Sequence, residues 1–136
     1  MWNATSACRP RPCLTAEGSI PRRGEIWTVD FNPARGSEQA GRRPALVIQN
    51  DAGNSSDSYP NTIVLAMSTK GRPVPFHVRI EPSTTTGLRE TTYIKCEQIL
   101  TISKARLLGR NPIGRIRHAD LSRVEIAVML SLGIGA

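Results

Sequence analysis

Apolar residues in this chain come in runs of no more than five, and several segments alternate strictly between apolar and polar. That texture builds short strands. Residues 25–31 place Trp27, Val29 and Phe31 on one side of an extended chain and Ile26, Thr28 and Asp30 on the other. Val74 to Glu81 repeats the pattern, with Phe76, Val78 and Ile80 opposed to His77, Arg79 and Glu81. Residues 45–48 and 63–67 are uninterrupted apolar runs, as expected of strands covered on both faces. Thr91 to Cys96 resumes strand character, Ser103 to Leu108 suits one or two helical turns, and residues 114–116 form a short last strand at best. The spacing of a helix face occurs at the end, where 121, 124, 127, 128 and 132 are apolar and Gly133 supplies the stop. The expected fold is mainly β: five or six short strands in a small barrel or sandwich, closed by a C-terminal helix over 119–132.

At 136 residues a single domain is expected. The polar, Pro-containing residues 1–20 read as a flexible arm and 21–136 as the folded domain. No apolar run approaches the roughly 18 residues of a membrane helix. No secretory signal is visible in the first twenty residues, so a cytoplasmic setting is expected. Cys8, Cys13 and Cys96 are too few and too scattered for a zinc site, and no metal or cofactor is expected.

The formal charge is +7, and the first twenty residues contribute only +1 of it through Arg9, Arg11 and Glu17. Fifteen of the 18 cations are Arg. A guanidinium fork suits phosphates and base edges, which points to nucleic acid as the partner, against the alternative of an ordinary Arg-rich solvated surface. Phosphate-binding glycine loops, metalloprotease motifs and nucleophile elbows are absent from the sequence. Two stretches remain. The loop Asn32 to Pro44 gathers Arg35, Arg42 and Arg43 around Glu38 and Gln39, and it runs straight into a buried strand that fixes where Arg43 points. Met67-Ser68-Thr69-Lys70 puts two hydroxyls and a cation at the end of another buried strand. Each alone is also consistent with a solvated loop or a strand-end turn. Together, arginine and hydroxyl groups around a carboxylate suit RNA cleavage by the RNA's own 2′-OH, which needs charge stabilisation and proton transfer but no external nucleophile.

At these residues the sequence resembles the MazF/PemK family of toxin endoribonucleases from bacterial toxin–antitoxin systems. The resemblance rests on RRGEIWTVDFNPARGSEQAGRRPALVIQND (22–51), PNTIVLAMST (60–69) and IKCEQILTISKARL (94–107), and it extends from Pro21 to about the C-terminus. It implies an SH3-like β-barrel of the CcdB/PemK type with a C-terminal helix. It also implies a homodimer that cuts single-stranded RNA at short motifs without a metal, leaving 2′,3′-cyclic phosphate and 5′-OH ends. The implied partner is a MazE-like antitoxin whose acidic tail would meet the basic body. The family's catalytic arginine matches Arg43. Its hydroxyl residue, typically Thr, falls at Ser68 or Thr69, and since adjacent strand residues face opposite sides only one can serve; Ser68 is favoured. Arg43 suits charge stabilisation rather than proton abstraction, because a guanidinium stays protonated in proteins. Glu38 suits deprotonation of the 2′-OH or base reading, or simply holds an arginine in place.

Candidate RNA contacts are Trp27, Phe31, Arg35, Gln39, Arg42, Lys70, His77, Arg79 and Gln98, for bases read on their edges or stacked on planar groups. Trp27 and Phe31 share a strand face that equally suits the core. Two other readings compete: a barrel that acts by binding a partner protein, as CcdB-type toxins do, and a basic nucleic-acid binder without hydrolytic activity. Retention of both Arg43 and Ser68/Thr69 favours the enzyme.

Overall fold

The structure, a computed structural model, describes residues 13–32 and 41–135. Seven strands form one sheet: β1 (Glu25–Asp30), β2 (Arg42–Val47), β3 (Asn61–Ser68), β4 (His77–Ile80), β5 (Thr92–Ser103), β6 (Leu107–Leu108) and β7 (Gly114–Arg115). Helix α1 (Asp51–Asn54) interrupts the β2–β3 connection, a 3-10 turn covers Lys104–Arg106, and α2 (His118–Leu132) ends the chain. Strand order is β4-β5-β3-β2-β1-β6, with β7 also pairing β1, and every pairing is antiparallel.

Both faces of this sheet are buried, but at different places. On one face Ile26, Leu46, Leu65, Met67, Val78, Ile80 and Ile94 pack with Val124 and Ala127 of α2. On the other, Trp27, Val29, Phe31, Ala45, Val47 and Val64 form a second cluster with Leu107, flanked by Leu100 and Ile102. The continuous runs 45–48 and 63–67 are therefore apolar because β2 and β3 have core on both sides.

β5 is twice as long as its alternation suggests. Its pairing with β3 jumps from Leu65↔Ile99 to Ala66↔Lys95, so Cys96, Glu97 and Gln98 bulge out. The bulge breaks the period-two pattern, which is why the sequence reading ends that strand at Cys96. The 103–108 segment is one 3-10 turn followed by β6 rather than a longer helix. Cys96 is fully buried; burial, with a smaller push from Glu97, raises its thiol pKa to about 12. Such a thiol is inert at neutral pH. Cys13 is disulfide-bonded.

Of the arm expected over 1–20, residues 13–20 are described, and they lie against the β6 edge. Ala16 donates its backbone N–H to the Leu107 carbonyl (3.0 Å), and the Glu17 carboxylate accepts from the Gly109 N–H (2.6 Å).

A buried polar network joins the end of β2 to the start of β3. The Asn54 side-chain carbonyl accepts from Gln49 Nε2 (3.0 Å) and the Thr62 hydroxyl (2.8 Å), while its amide donates to the Gln49 carbonyl (2.9 Å). Lys104, fully buried, donates to the carbonyls of Gly53 (2.9 Å) and Ser56 (3.3 Å), holding the turn after α1. Burial lowers its pKa, and the nearby Asp57 charge opposes that. Replacing Asn54 with Ala strands the Gln49 and Thr62 groups in a site that is 1% exposed. The expected cost is about 2–4 kcal/mol, from two orphaned buried groups, read as a lower urea midpoint with unchanged slope; an unshifted midpoint would show that the network is dispensable.

Candidate nucleic-acid interface and active site

β2 and β3 pair as Val47↔Val64, Leu46↔Leu65 and Ala45↔Ala66. Continuing that antiparallel register by two residues brings Arg43 beside Ser68, and both point to the same side as Ala45 and Ala66 because side chains alternate along a strand. Across β3 the next neighbour of Ser68 is Tyr93, and across β5 the neighbour of Tyr93 is Arg79. The result is a cross-strand row Arg43–Ser68–Tyr93–Arg79. One pleat away on the same face runs a second row, Trp27–Ala45–Ala66–Lys95–His77. At its β1 end this face is the second core; at its β3–β5–β4 end it carries Ser68, Tyr93, Lys95 and Arg79, none of them buried.

Ser68 is half-buried at the end of β3, and its Oγ accepts the Lys70 backbone N–H at 3.1 Å. That bond uses a lone pair and leaves the hydroxyl proton to be donated elsewhere. Thr69 lies one residue beyond the strand and is exposed, as is Lys70. Arg43 is exposed on β2. Arg42 faces the opposite side of the sheet, opposite Asp30, so the two consecutive arginines do not converge. Arg35, Glu38 and Gln39 lie outside the described residues. The stem of their loop is well held: Asn32 Oδ1 accepts the Gly41 N–H (3.0 Å), and Phe31 N–H donates to the Gly41 carbonyl (3.0 Å). The Arg106 guanidinium adds bonds to the carbonyls of Asp30 and Asn32.

Trp27 and Phe31 are core residues, 1% and 9% exposed, which corrects their placement among base contacts. The Trp27 indole N–H donates to the Glu25 carboxylate (3.0 Å), so its polar edge is internal too. His77 is committed to the protein at both nitrogens: Nδ1 accepts the Arg72 N–H (3.1 Å) and Nε2 meets Glu97 (2.9 Å). This pattern places the proton on Nε2 and makes His77 a brace for the segment after Ser68 rather than a base reader. Arg79 is exposed and pairs with Glu81 at 2.7 Å, a contact that solvent weakens. Gln98 is half-buried within the β5 bulge.

Tyr93 and Lys95 are absent from the sequence-based candidates, although alternation across 91–96 already sets both opposite Ile94 and Cys96. What the alternation lacks is the β4 and β3 registers that bring Arg79 and Ser68 beside them. A side chain on Gly71 would lie 2.1 Å from the Tyr93 ring, so the loop backbone sits flat on that ring and only glycine fits. Among the described residues no group of three or more His, Cys, Asp or Glu side chains is placed to hold a metal ion, and no helix is long and apolar enough to cross a membrane.

The fold and this face define a class: a β half-barrel backed by one helix, with arginine and hydroxyl groups side by side on an open sheet face. Residues 22–132 match the family described as PemK-like, MazF-like toxin of type II toxin-antitoxin system. The chain is 41% identical over 117 residues to endoribonuclease MazF9 of Mycobacterium tuberculosis, a match spanning 83% of this chain and 97% of the relative. It is 36% identical over 116 residues to endoribonuclease MazF of Staphylococcus epidermidis, spanning 83% and 92%. In fold it is similar to a mycobacterial endoribonuclease solved in complex with its cognate antitoxin (TM-score 0.68, 24% identity, 85% of this chain and 98% of that one). It is likewise similar to MazF from Deinococcus radiodurans (TM-score 0.67, 22% identity, 85% and 98%). The chain belongs to the PemK-like, MazF-like toxin family, and its fold is the CcdB/PemK type that the sequence led us to expect.

Proposed function

We propose that this chain is the toxin of a type II toxin–antitoxin pair, a sequence-specific endoribonuclease that cleaves single-stranded mRNA without a metal and thereby arrests translation and growth. The relatives' endoribonuclease names support the activity. The single observation that carries the chemistry is the Ala45↔Ala66 pairing of β2 with β3, a register that, continued two residues along both strands, sets Arg43 beside Ser68 on one sheet face.

In the proposed reaction the RNA 2′-oxygen attacks the adjacent phosphorus, and its proton passes to Glu38. The bond from phosphorus to the 5′-oxygen breaks and that oxygen takes up a proton from water, leaving a 2′,3′-cyclic phosphate and a 5′-OH. Arg43 remains a cation and stabilises the charge that builds on the phosphoryl oxygens. The Ser68 hydroxyl donates to one of those oxygens. Thr69 receives no step in this scheme. Lys70, Arg35, Gln39 and Gln98 remain candidate RNA contacts, and the body's charge suits both the RNA and a MazE-like antitoxin with an acidic tail. The setting proposed for this work is the cytoplasm.

The expected experiment uses a long defined RNA in EDTA with mapping of the new ends. Wild type should give discrete cuts with 5′-OH ends, and Arg43→Ala should be slower by about 100- to 1,000-fold, the loss typical of one oxyanion donor. Intact RNA from folded, antitoxin-free protein would contradict the activity, and undiminished cutting by Arg43→Ala would contradict the site.

The protein is also proposed to act as a homodimer. Helix α2 buries Val124 and Ala127 against the sheet, yet Ile126, Met129, Leu130 and Leu132, with Ile134 beyond it, are 41–56% exposed. A helix apolar on both sides is a buried helix, and a second copy offers the same uncharged stripe about a two-fold axis. Ile126→Lys with Leu130→Lys should convert a dimer to a monomer in sedimentation velocity while leaving the circular dichroism unchanged. A dimer that persists would place the interface elsewhere.

A further inference from the structure

Tyr93 and Lys95 stand on the open end of the reaction face without an assigned task. Tyr93 lies between Ser68 and Arg79 in the first row, and Lys95 lies between Ala66 and His77 in the second. Both are half-buried, and neither side chain makes a hydrogen bond or ion pair with another described residue. Nearly everything around them is engaged. Arg79 pairs with Glu81, His77 is bonded at both nitrogens, and Ser68 accepts from Lys70. An ammonium and a phenol left unpaired and partly desolvated, one pleat apart on the same face as Ser68, are groups prepared for a ligand.

The Tyr93 ring is also held rigid. Gly71 lies flat against it, and the segment carrying Gly71 is anchored on one side by the Lys70 N–H to Ser68 and on the other by the Arg72 N–H to His77. A ring fixed in place loses little conformational freedom when something stacks on it. From Arg43 to Arg79 the row crosses three strand spacings, about 14 Å, which is longer than one phosphodiester linkage.

We infer that Tyr93 and Lys95 form a second nucleotide-binding subsite beside the scissile position, in which the flanking base contacts the Tyr93 ring and the flanking phosphate contacts Lys95. This rests on the endoribonuclease reading above. The RNA then runs across the strands along the row, with its reacting linkage at Arg43 and Ser68 and its next nucleotide over β5. Stacking on an aromatic ring tolerates every base, so the subsite sets affinity and reach more than the cleavage motif.

The test uses the full chain and two RNAs: an oligonucleotide containing the mapped cut site with several nucleotides on each flank, and versions truncated to the cut dinucleotide from the 5′ or the 3′ side. Tyr93→Leu and Lys95→Gln should each raise KM on the long RNA about tenfold, the loss falling in KM rather than kcat. The difference from wild type should vanish on the RNA truncated from one particular side. Tyr93→Phe should restore the Tyr93→Leu defect, since the ring carries the contact. Lys95→Gln leaves the Tyr93 ring and its Gly71 neighbour unchanged in sequence, so it reads the subsite even if Tyr93→Leu melts early. Binding is measured in parallel on the long oligonucleotide with a 2′-deoxy sugar at the cut site. There Lys95→Gln should flatten the slope of log affinity against log salt by about 0.7, the value for one phosphate contact on a single strand. Equal KM for wild type and variants on the long RNA, or equal losses on long and truncated RNA, would overturn the inference. The two readings fail separately: no cleavage by wild type defeats the enzyme reading, whereas unaltered binding by Tyr93→Leu and Lys95→Gln defeats the subsite.

Discussion

The register between β2 and β3 is the constraint on which the rest of this structure depends. A slip of one residue would turn every side chain of β2 to the other face of the sheet relative to β3. Arg43 and Ser68 would then point to opposite faces of the sheet. Two features hold the register. The small buried pair Ala45↔Ala66 lets β2 and β3 pack closely on the face of the second core, and the Gln49–Asn54–Thr62 network ties the far ends of the strands with three buried hydrogen bonds. The network lies at the opposite end of the strands from Arg43 and Ser68, so the chain holds this pair from a distance and leaves their own end open.

That separation explains how a sheet with core on both faces also carries an open polar surface. The face bearing Trp27, Val47 and Val64 is sealed by Leu100, Ile102 and Leu107. Toward β4 the same face has no such cover and becomes polar. The β5 bulge supports the change, because it delivers Glu97 to His77 and lets Lys95 pair with both Ala66 and His77. The chemistry proposed on this surface asks for fixed donors and cations, and a sheet edge of braced side chains provides them without rearrangement.

Much of the fold is legible in the sequence, because burial on a strand writes itself as period two. β1 and β4 show the pattern directly, and the runs at 45–48 and 63–67 announce strands with core on both sides. The proposed pair, Arg43 and Ser68, is singled out in the sequence by its place at strand ends and by the family resemblance. The remainder depends on pairing. Trp27 and Phe31 look the same in sequence whether their face meets core or RNA, and only the Leu107 cover decides. His77 alternates with the polar face but has its nitrogens taken by Arg72 and Glu97, which are five and twenty residues away. The second half of β5 hides behind its bulge, and Tyr93 and Lys95 gain meaning only from neighbours on β3 and β4. α2 is recognisable as a helix from its inward stripe, while its outward stripe of Ile126, Met129 and Leu130 merges with that signal and blurs it.

In the proposed reaction, strand register rather than proximity in sequence selects the reacting hydroxyl. The most direct measurement is single-turnover cleavage of one defined RNA by Ser68→Ala and Thr69→Ala, with melting curves confirming that both fold. The expected result is that Ser68→Ala loses most of its rate while Thr69→Ala stays close to wild type. A slow Thr69→Ala beside an active Ser68→Ala would contradict the register that places Ser68 next to Arg43.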